Sequence, residues 1–133
     1  MYDLVLKNCN VINENVESQV DIAIKNQRIE KIAASIDSES SEELDLSGKL
    51  VIPGLIDDQV HFREPGLTHK GEIATESKAA LAGGVTSYIE MPNVNPNTST
   101  IENLEKKFEM ASSKSVGNYS FYLGATNDNI EEI

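Results

Sequence analysis

Four side chains capable of chemistry fall at every second position of one short stretch: Asp57, Gln59, His61 and Arg63. In an extended strand, residues at i, i+2 and i+4 share a face. The spacing therefore gathers a carboxylate, an amide, an imidazole and a guanidinium on one side, and leaves Val60 and Phe62 to pack on the other. Such a face is costly to bury unless its groups bind a metal or ligand, or satisfy one another. A solvent-facing strand end with ordinary polar side chains fits the residue types equally well, and composition alone leaves both readings open.

The surrounding elements decide where this stretch sits. From Leu50 the chain reads strand, helix, strand, helix, strand. Leu50 to Phe62 is the first strand, broken early by Pro53-Gly54. Ile73, Ala74, Ser77, Ala80 and Leu81 share a helical face, and Gly83-Gly84 supplies the stop. Val85 to Met91 is the second strand, ended by Pro92. Ser99-x-x-Glu102 has the form of a capping box, followed by Ile101, Leu104, Phe108 and Ala111 as the buried stripe of a second helix. Asn118 to Leu123 is the third strand, and Asn129 opens a further helix. Strands alternating with helices of this length imply βαβ units and a parallel sheet. Such folds place their active sites at the C-terminal strand ends. Roughly two and a half units are present, against the eight of a (β/α)8 barrel of ~250 residues. The pattern fits either a small open sheet or the start of something larger.

Residues 1 to about 50 follow a different rhythm. Tyr2, Leu4 and Leu6 alternate with Asp3 and Lys7, and Val20 to Ile24 alternates in the same way. Asn26-Gln27 separates the latter from Arg28 to Ile32, which predicts a hairpin. Ser35 to Glu43 is a loop, and Leu44 to Leu50 returns to an extended pattern. This is a small all-β module with too few strands to close on its own.

Charge and cysteine usage narrow the function classes. The formal charge is −11, with no Lys/Arg cluster. Phosphate surfaces would be repelled, so neither nucleic acid nor an anionic membrane is an expected partner. Cys9 is the single cysteine, which precludes an intrachain disulfide and suits a reducing cytoplasm. The first residues lack the basic and long apolar regions of a signal peptide. No stretch approaches the ~18 apolar residues that span a bilayer.

Pro53-Gly54-Leu55-Ile56-Asp57, then His61 ahead of Phe62-Arg63-Glu64-Pro65-Gly66, resembles the signature of type I dihydroorotases, metal-dependent cyclic-amide hydrolases of the amidohydrolase superfamily. There the string reads Asp-x-His-x-His-x-Arg-Glu-Pro-Gly. The similarity continues through Ala82-Gly83-Gly84-Val85-Thr86 and the segment Met91-Pro92-Asn93 to Thr98, so it covers essentially the whole chain. The resemblance implies an α/β fold, the start of a (β/α)8 TIM-type barrel that is incomplete in this chain. Residues 1–50 would be the N-terminal part of a small β-sandwich module, and residues 51–133 the first two to three β/α units. It implies reversible hydrolysis of dihydroorotate to N-carbamoyl-aspartate, with one or two Zn²⁺ ions and a small-molecule substrate; a homo-oligomer is compatible with it.

By the same resemblance His61 matches the second metal-ligating histidine, and a neutral imidazole on a rigid strand is a good zinc ligand. Arg63 matches the group that holds the substrate carboxylate, for which a planar fork is suited. Asn93 matches a substrate-contacting amide, and Asp57 the aspartate that opens the signature. Gln59 is the departure, standing where the family has its first ligating histidine. An amide oxygen is a weaker zinc donor than imidazole. Three arrangements are open: weak ligation by Gln59, a single metal, or a substitute such as Asp57 or His69. The catalytic acid/base and the remaining ligands would lie beyond residue 133, so no catalytic residue is assigned within this chain. Two other readings stand beside this one. One is a hydrolase of neutral cyclic ureides, such as an allantoinase, hydantoinase or dihydropyrimidinase. The other is a non-catalytic scaffold homologue, which Gln59 favours.

Overall fold

Two tight turns start the fold. In the computed structural model, which describes residues 1–37 and 39–133, β1 (Leu4–Asn13), β2 (Val16–Lys25) and β3 (Arg28–Ala33) form an antiparallel meander. Both connections hold two residues at positive φ: Glu14 (50°) with Asn15 (62°), and Asn26 (50°) with Gln27 (62°). This mirror-image turn matches the twist of the strands it joins. The Asn26-Gln27 hairpin is the predicted one; the strand alternation did not mark the other. Two short strands, β4 (Glu43–Asp45) and β5 (Leu50–Val51), then pair parallel to β1, completing a five-stranded sheet. Ser38, within the predicted 35–43 loop, lies outside the described residues.

The core of this first unit (1–53) is Val5, Ala23 and Ile36. Asp21, the charged residue of the alternating Val20 to Ile24 run, is buried. The register of β1 slips between Leu6 and Cys9, with Asn8 at φ 57°, and the freed Asn8 N–H donates to Asp21 Oδ1 (2.9 Å). Ile36 N–H donates to Oδ2 (2.9 Å), and Lys7 Nζ pairs with it at 2.6 Å. The Lys7 hydrogen bond holds the Asp21 carboxyl below its ordinary range. Cys9 is fully buried, and burial pushes its thiol up, away from the reactive thiolate.

The second unit (54–133) is mixed α/β. Its strands β6 (Leu55–Val60), β7 (Val85–Glu90) and β8 (Asn118–Phe121) form a parallel sheet in that order, with α1 (Ile73–Ala82) and α2 (Ile101–Lys114) as the connections. β6 is shorter than the predicted Leu50–Phe62 strand, because Leu50–Val51 pairs with β1 and the ladder to β7 stops at Val60. Val60, Phe62, Tyr88 and Phe121 from the sheet side pack with Ile73 of α1 and Ala111 of α2. Phe62 and Tyr88 lie 4.5 Å apart by ring centroid. Complete burial of Ile73 alone contributes about 2–3 kcal/mol.

The helix ends differ in how well the sequence foretold them. α1 stops as predicted: the Gly83 N–H donates to Ala79 O and Ala80 O, and Gly84 takes φ 92°. The cap of α2 is Thr100, one residue after the predicted Ser99, with its hydroxyl accepting from Asn103 N–H (3.2 Å). Glu102 pairs with Lys106 along the helix surface instead of closing a box. Of the predicted stripe, Ala111 is buried and Leu104 partly so, but Ile101 and Phe108 are exposed. Lys107 is buried in their place, at 1% exposure. The segment after Asn129 is a 3₁₀ turn, Ile130–Glu132. Among the described residues no helix is long and apolar enough to cross a membrane.

Candidate active site

The C-terminal ends of β6, β7 and β8 carry the residues with chemistry. The sequence spacing presumed strict alternation from Asp57 to Arg63, and the strand does not keep it. Asp57 lies opposite Tyr88 and Val60 opposite Glu90, so three steps along β6 answer two along β7. An extra residue at 58–59 breaks the period-2 rule. Asp58 and Gln59, adjacent in sequence, both line a shallow pocket of about 260 Å³ with Met91 and Tyr122. Asp57 is not among its lining residues; its Oδ1 accepts from the Gln59 N–H at 3.1 Å.

His61 and Asn93 are brought together from two strand ends. His61 Nδ1 and Asn93 Oδ1 are 2.9 Å apart. With the amide oxygen accepting, the ring proton sits on Nδ1 and the Nε2 lone pair is left for a ligand. Both residues are exposed. His69 is exposed in the loop before α1. No three His, Cys, Asp or Glu side chains converge to hold a metal among the described residues. A zinc site needs three or four such donors, and here His61 is the one imidazole at the strand ends. Among the described residues the donors do not make up a zinc site by themselves.

Arg63 stands past the end of β6 at φ 70°. The left-handed region costs a non-glycine residue about 1–2 kcal/mol, so something must hold it there. Its N–H donates to Glu90 Oε1 at 2.8 Å. The residue is half-buried, and its guanidinium has no hydrogen bond or ion pair among the described residues. The next residue, Glu64, is 5% exposed; its Oε2 accepts from Ile73 N–H, the first amide of α1 (3.0 Å), and its Oε1 pairs with Lys114 of α2. That remote carboxylate does the capping that Glu72, at the N-cap position, does not.

Glu90, Lys107, Glu64 and Lys114 were not singled out from the sequence. The usable signal was Lys107, which falls on the helical stripe between Leu104 and Ala111. Glu90 Oε2 lies 3.0 Å from Lys107 Nζ, and Lys107 also donates to Met91 O (3.4 Å). Burial pushes the Glu90 carboxyl up and the Lys107 ammonium down, each toward neutrality, and their mutual attraction pulls both back.

The two loops touch through backbone. Asn95 N–H donates to Pro65 O (3.1 Å), and Gly66 sits at φ 77° where a Cβ would come within 2.0 Å of Asn95 O. Gly84 has a similar φ with nothing within 4 Å. Gly84→Ala is therefore expected to destabilise by about 1–2 kcal/mol from backbone strain alone, and Gly66→Ala by at least ~2 kcal/mol more. Denaturant titration of the two variants measures the difference; equal losses would show that the loops do not pack.

This geometry has counterparts among known proteins. A dihydro-orotase-like family model matches residues 48–130. The chain is 38% identical over 133 residues to an allantoinase of Desulfitobacterium hafniense (strain Y51), covering 99% of this chain and 30% of that protein. It is 39% identical over 113 residues to a dihydroorotase of Fusobacterium nucleatum, covering 85% and 27% respectively. Among solved structures, the L-hydantoinase (dihydropyrimidinase) from Arthrobacter aurescens superposes with a TM-score of 0.96 at 31% identity, over 99% of this chain and 30% of that one. The chain thus spans 27–30% of the length of these curated relatives.

Proposed function

This chain belongs to the dihydro-orotase-like family, and from that premise we propose that it supplies the first β/α units of a barrel enzyme that hydrolyses a cyclic amide bearing a carboxylate, dihydroorotate, reversibly to N-carbamoyl-aspartate. The observation that carries the reading is Arg63, a half-buried residue whose guanidinium is unpaired among the described residues, beside the two strand ends that hold His61 and Asn93. An arginine fork pairs bidentately with a carboxylate. Arg63 would bind the substrate's carboxylate and Asn93 its ring amide, fixing the scissile bond in place. In this reading residues 1–50 belong to a β-sandwich module and 51–133 to the (β/α)8 barrel, whose later strands lie outside this sequence. The sheet order β6-β7-β8 and the superposition on the L-hydantoinase support it. We further take the protein to be cytoplasmic and to act on a free small molecule.

Zinc, as one or two ions, would require donors from beyond residue 133 to join His61 through Nε2. Gln59 and Asp57 are the weaker candidates from this chain, and Asp57 is already engaged by the Gln59 amide. When bound, such an ion activates water as a nucleophile and polarises the scissile carbonyl.

A second reading, hydrolysis of a neutral ureide, is favoured by the similarity to an allantoinase and an L-hydantoinase. A substrate panel on the full-length protein with Zn²⁺ separates the two. Dihydroorotate is expected to be turned over with kcat/KM at least about tenfold above allantoin and hydantoin, the discrimination of a single well-used contact. Preference for a neutral ureide would favour the second reading. A folded protein with no bound zinc and no turnover of any substrate would mark a scaffold.

A further inference from the structure

One buried charge pair touches both loops that carry the site. Glu90, at 0% exposure, accepts the Arg63 N–H at Oε1, 2.8 Å away, and meets Lys107 Nζ at Oε2. Lys107 donates in turn to Met91 O, two residues ahead of Asn93, and stands 4.7 Å from the centroid of the Phe121 ring. Packing does not demand an ion pair here, since apolar residues of similar volume generally serve stability as well or better. The carboxylate does something an apolar side chain cannot. It accepts a main-chain N–H at a residue in the left-handed region, where arginine seldom sits and strain persists only if the surroundings impose it.

We infer that Glu90, whose buried charge Lys107 balances, is a positioning residue: its carboxylate pins the backbone of Arg63 at positive φ and so aims the guanidinium at the substrate's carboxylate. The inference rests on the proposed role of Arg63 as carboxylate binder. Lys107 Nζ, 3.0 Å from Oε2, offsets the charge that the buried carboxylate brings with it.

Two double variants of the full-length enzyme isolate the acceptor. Both Glu90→Gln/Lys107→Met and Glu90→Leu/Lys107→Met remove the two buried charges together, so neither leaves an orphan. They differ in whether an oxygen remains for the Arg63 N–H. The Gln/Met pair is expected to hold KM for dihydroorotate within about threefold. The Leu/Met pair is expected to raise it about 10- to 100-fold, the scale of an ångström-level misplacement, with kcat and hydantoin hydrolysis little changed. Leu/Met kinetics that match Gln/Met, or that fall equally for anionic and neutral substrates, would overturn the inference. Amide exchange in the unaltered protein gives a reading that does not depend on a variant folding: the Arg63 N–H should be protected, and exchange at the rate of an exposed loop overturns the proposal. Arg63→Ala separates the two levels. If it spares dihydroorotate selectively bound over hydantoin, the carboxylate reading fails and takes this one with it. If it abolishes that selectivity and Leu/Met does not, the positioning role alone fails.

Discussion

Replacing Arg63 with alanine should lower kcat/KM for dihydroorotate by roughly 10²–10³-fold, the equivalent of about 3–4 kcal/mol for a desolvated, charge-assisted carboxylate contact. The loss should fall mainly on KM, because the carboxylate is remote from the bond that breaks and is held alike in ground and transition states. Hydantoin has no carboxylate to lose, so its hydrolysis should change by less than about threefold on the same reasoning. Arg63→Lys keeps the charge but not the fork, and is expected to fall between the two. Steady-state kinetics on both substrates check this. An Arg63→Ala enzyme with unaltered dihydroorotate KM would remove the basis for a carboxylate-bearing substrate.

The second large effect concerns stability. Lys107→Met leaves Glu90 buried beside methionine, and removing one partner of a buried pair costs about 3–5 kcal/mol. The sign of its pH dependence follows from Glu90. Burial raises the carboxyl above its ordinary value of 4.5, and the variant lacks the ammonium that opposes that rise. A group with a raised folded-state pKa contributes stability that is fully present below the unfolded value and is lost as pH rises through the folded one. The variant should therefore be least penalised near pH 4 and lose stability steadily toward neutrality. Chemical denaturation at several pH values measures it. A penalty that did not grow with pH would mean that Glu90 is solvated, contrary to its complete burial. Glu90→Leu/Lys107→Met should recover most of the loss, since it removes the orphaned charge as well.

The order of elements was legible because punctuation and periodicity agree in this chain. Pro92 ends β7, Gly83-Gly84 ends α1, and Asn26-Gln27 turns the second hairpin, each for a backbone reason that survives folding. Two of the residues named from the sequence, His61 and Asn93, do meet at the strand ends. What was not legible depended on tertiary contact. The extra residue at 58–59 shows only in the register against β7, so the alternation argument carried Asp57 to a face it does not share with the pocket. Lys107 and Glu90 were not singled out because each is costly to bury alone; only their pairing explains their burial. The cap moved from Ser99 to Thr100 because capping depends on which hydroxyl meets the third amide, and residues one apart look alike in a string.

The remote bonding of Glu64 bears on portability. Arg63 and Glu64 are neighbours in the chain with separate duties, one displayed and one anchored. The anchors lie far along the sequence: Glu90 is 27 residues beyond Arg63, and Lys114 is 50 beyond Glu64. A loop grafted from residues 63–66 onto another scaffold would carry the letters of the motif without its frame, and its arginine would sample the ordinary conformations of a surface residue. A useful transplant would have to include β7 and α2 as well. The smallest transferable piece of this site is a whole supersecondary unit.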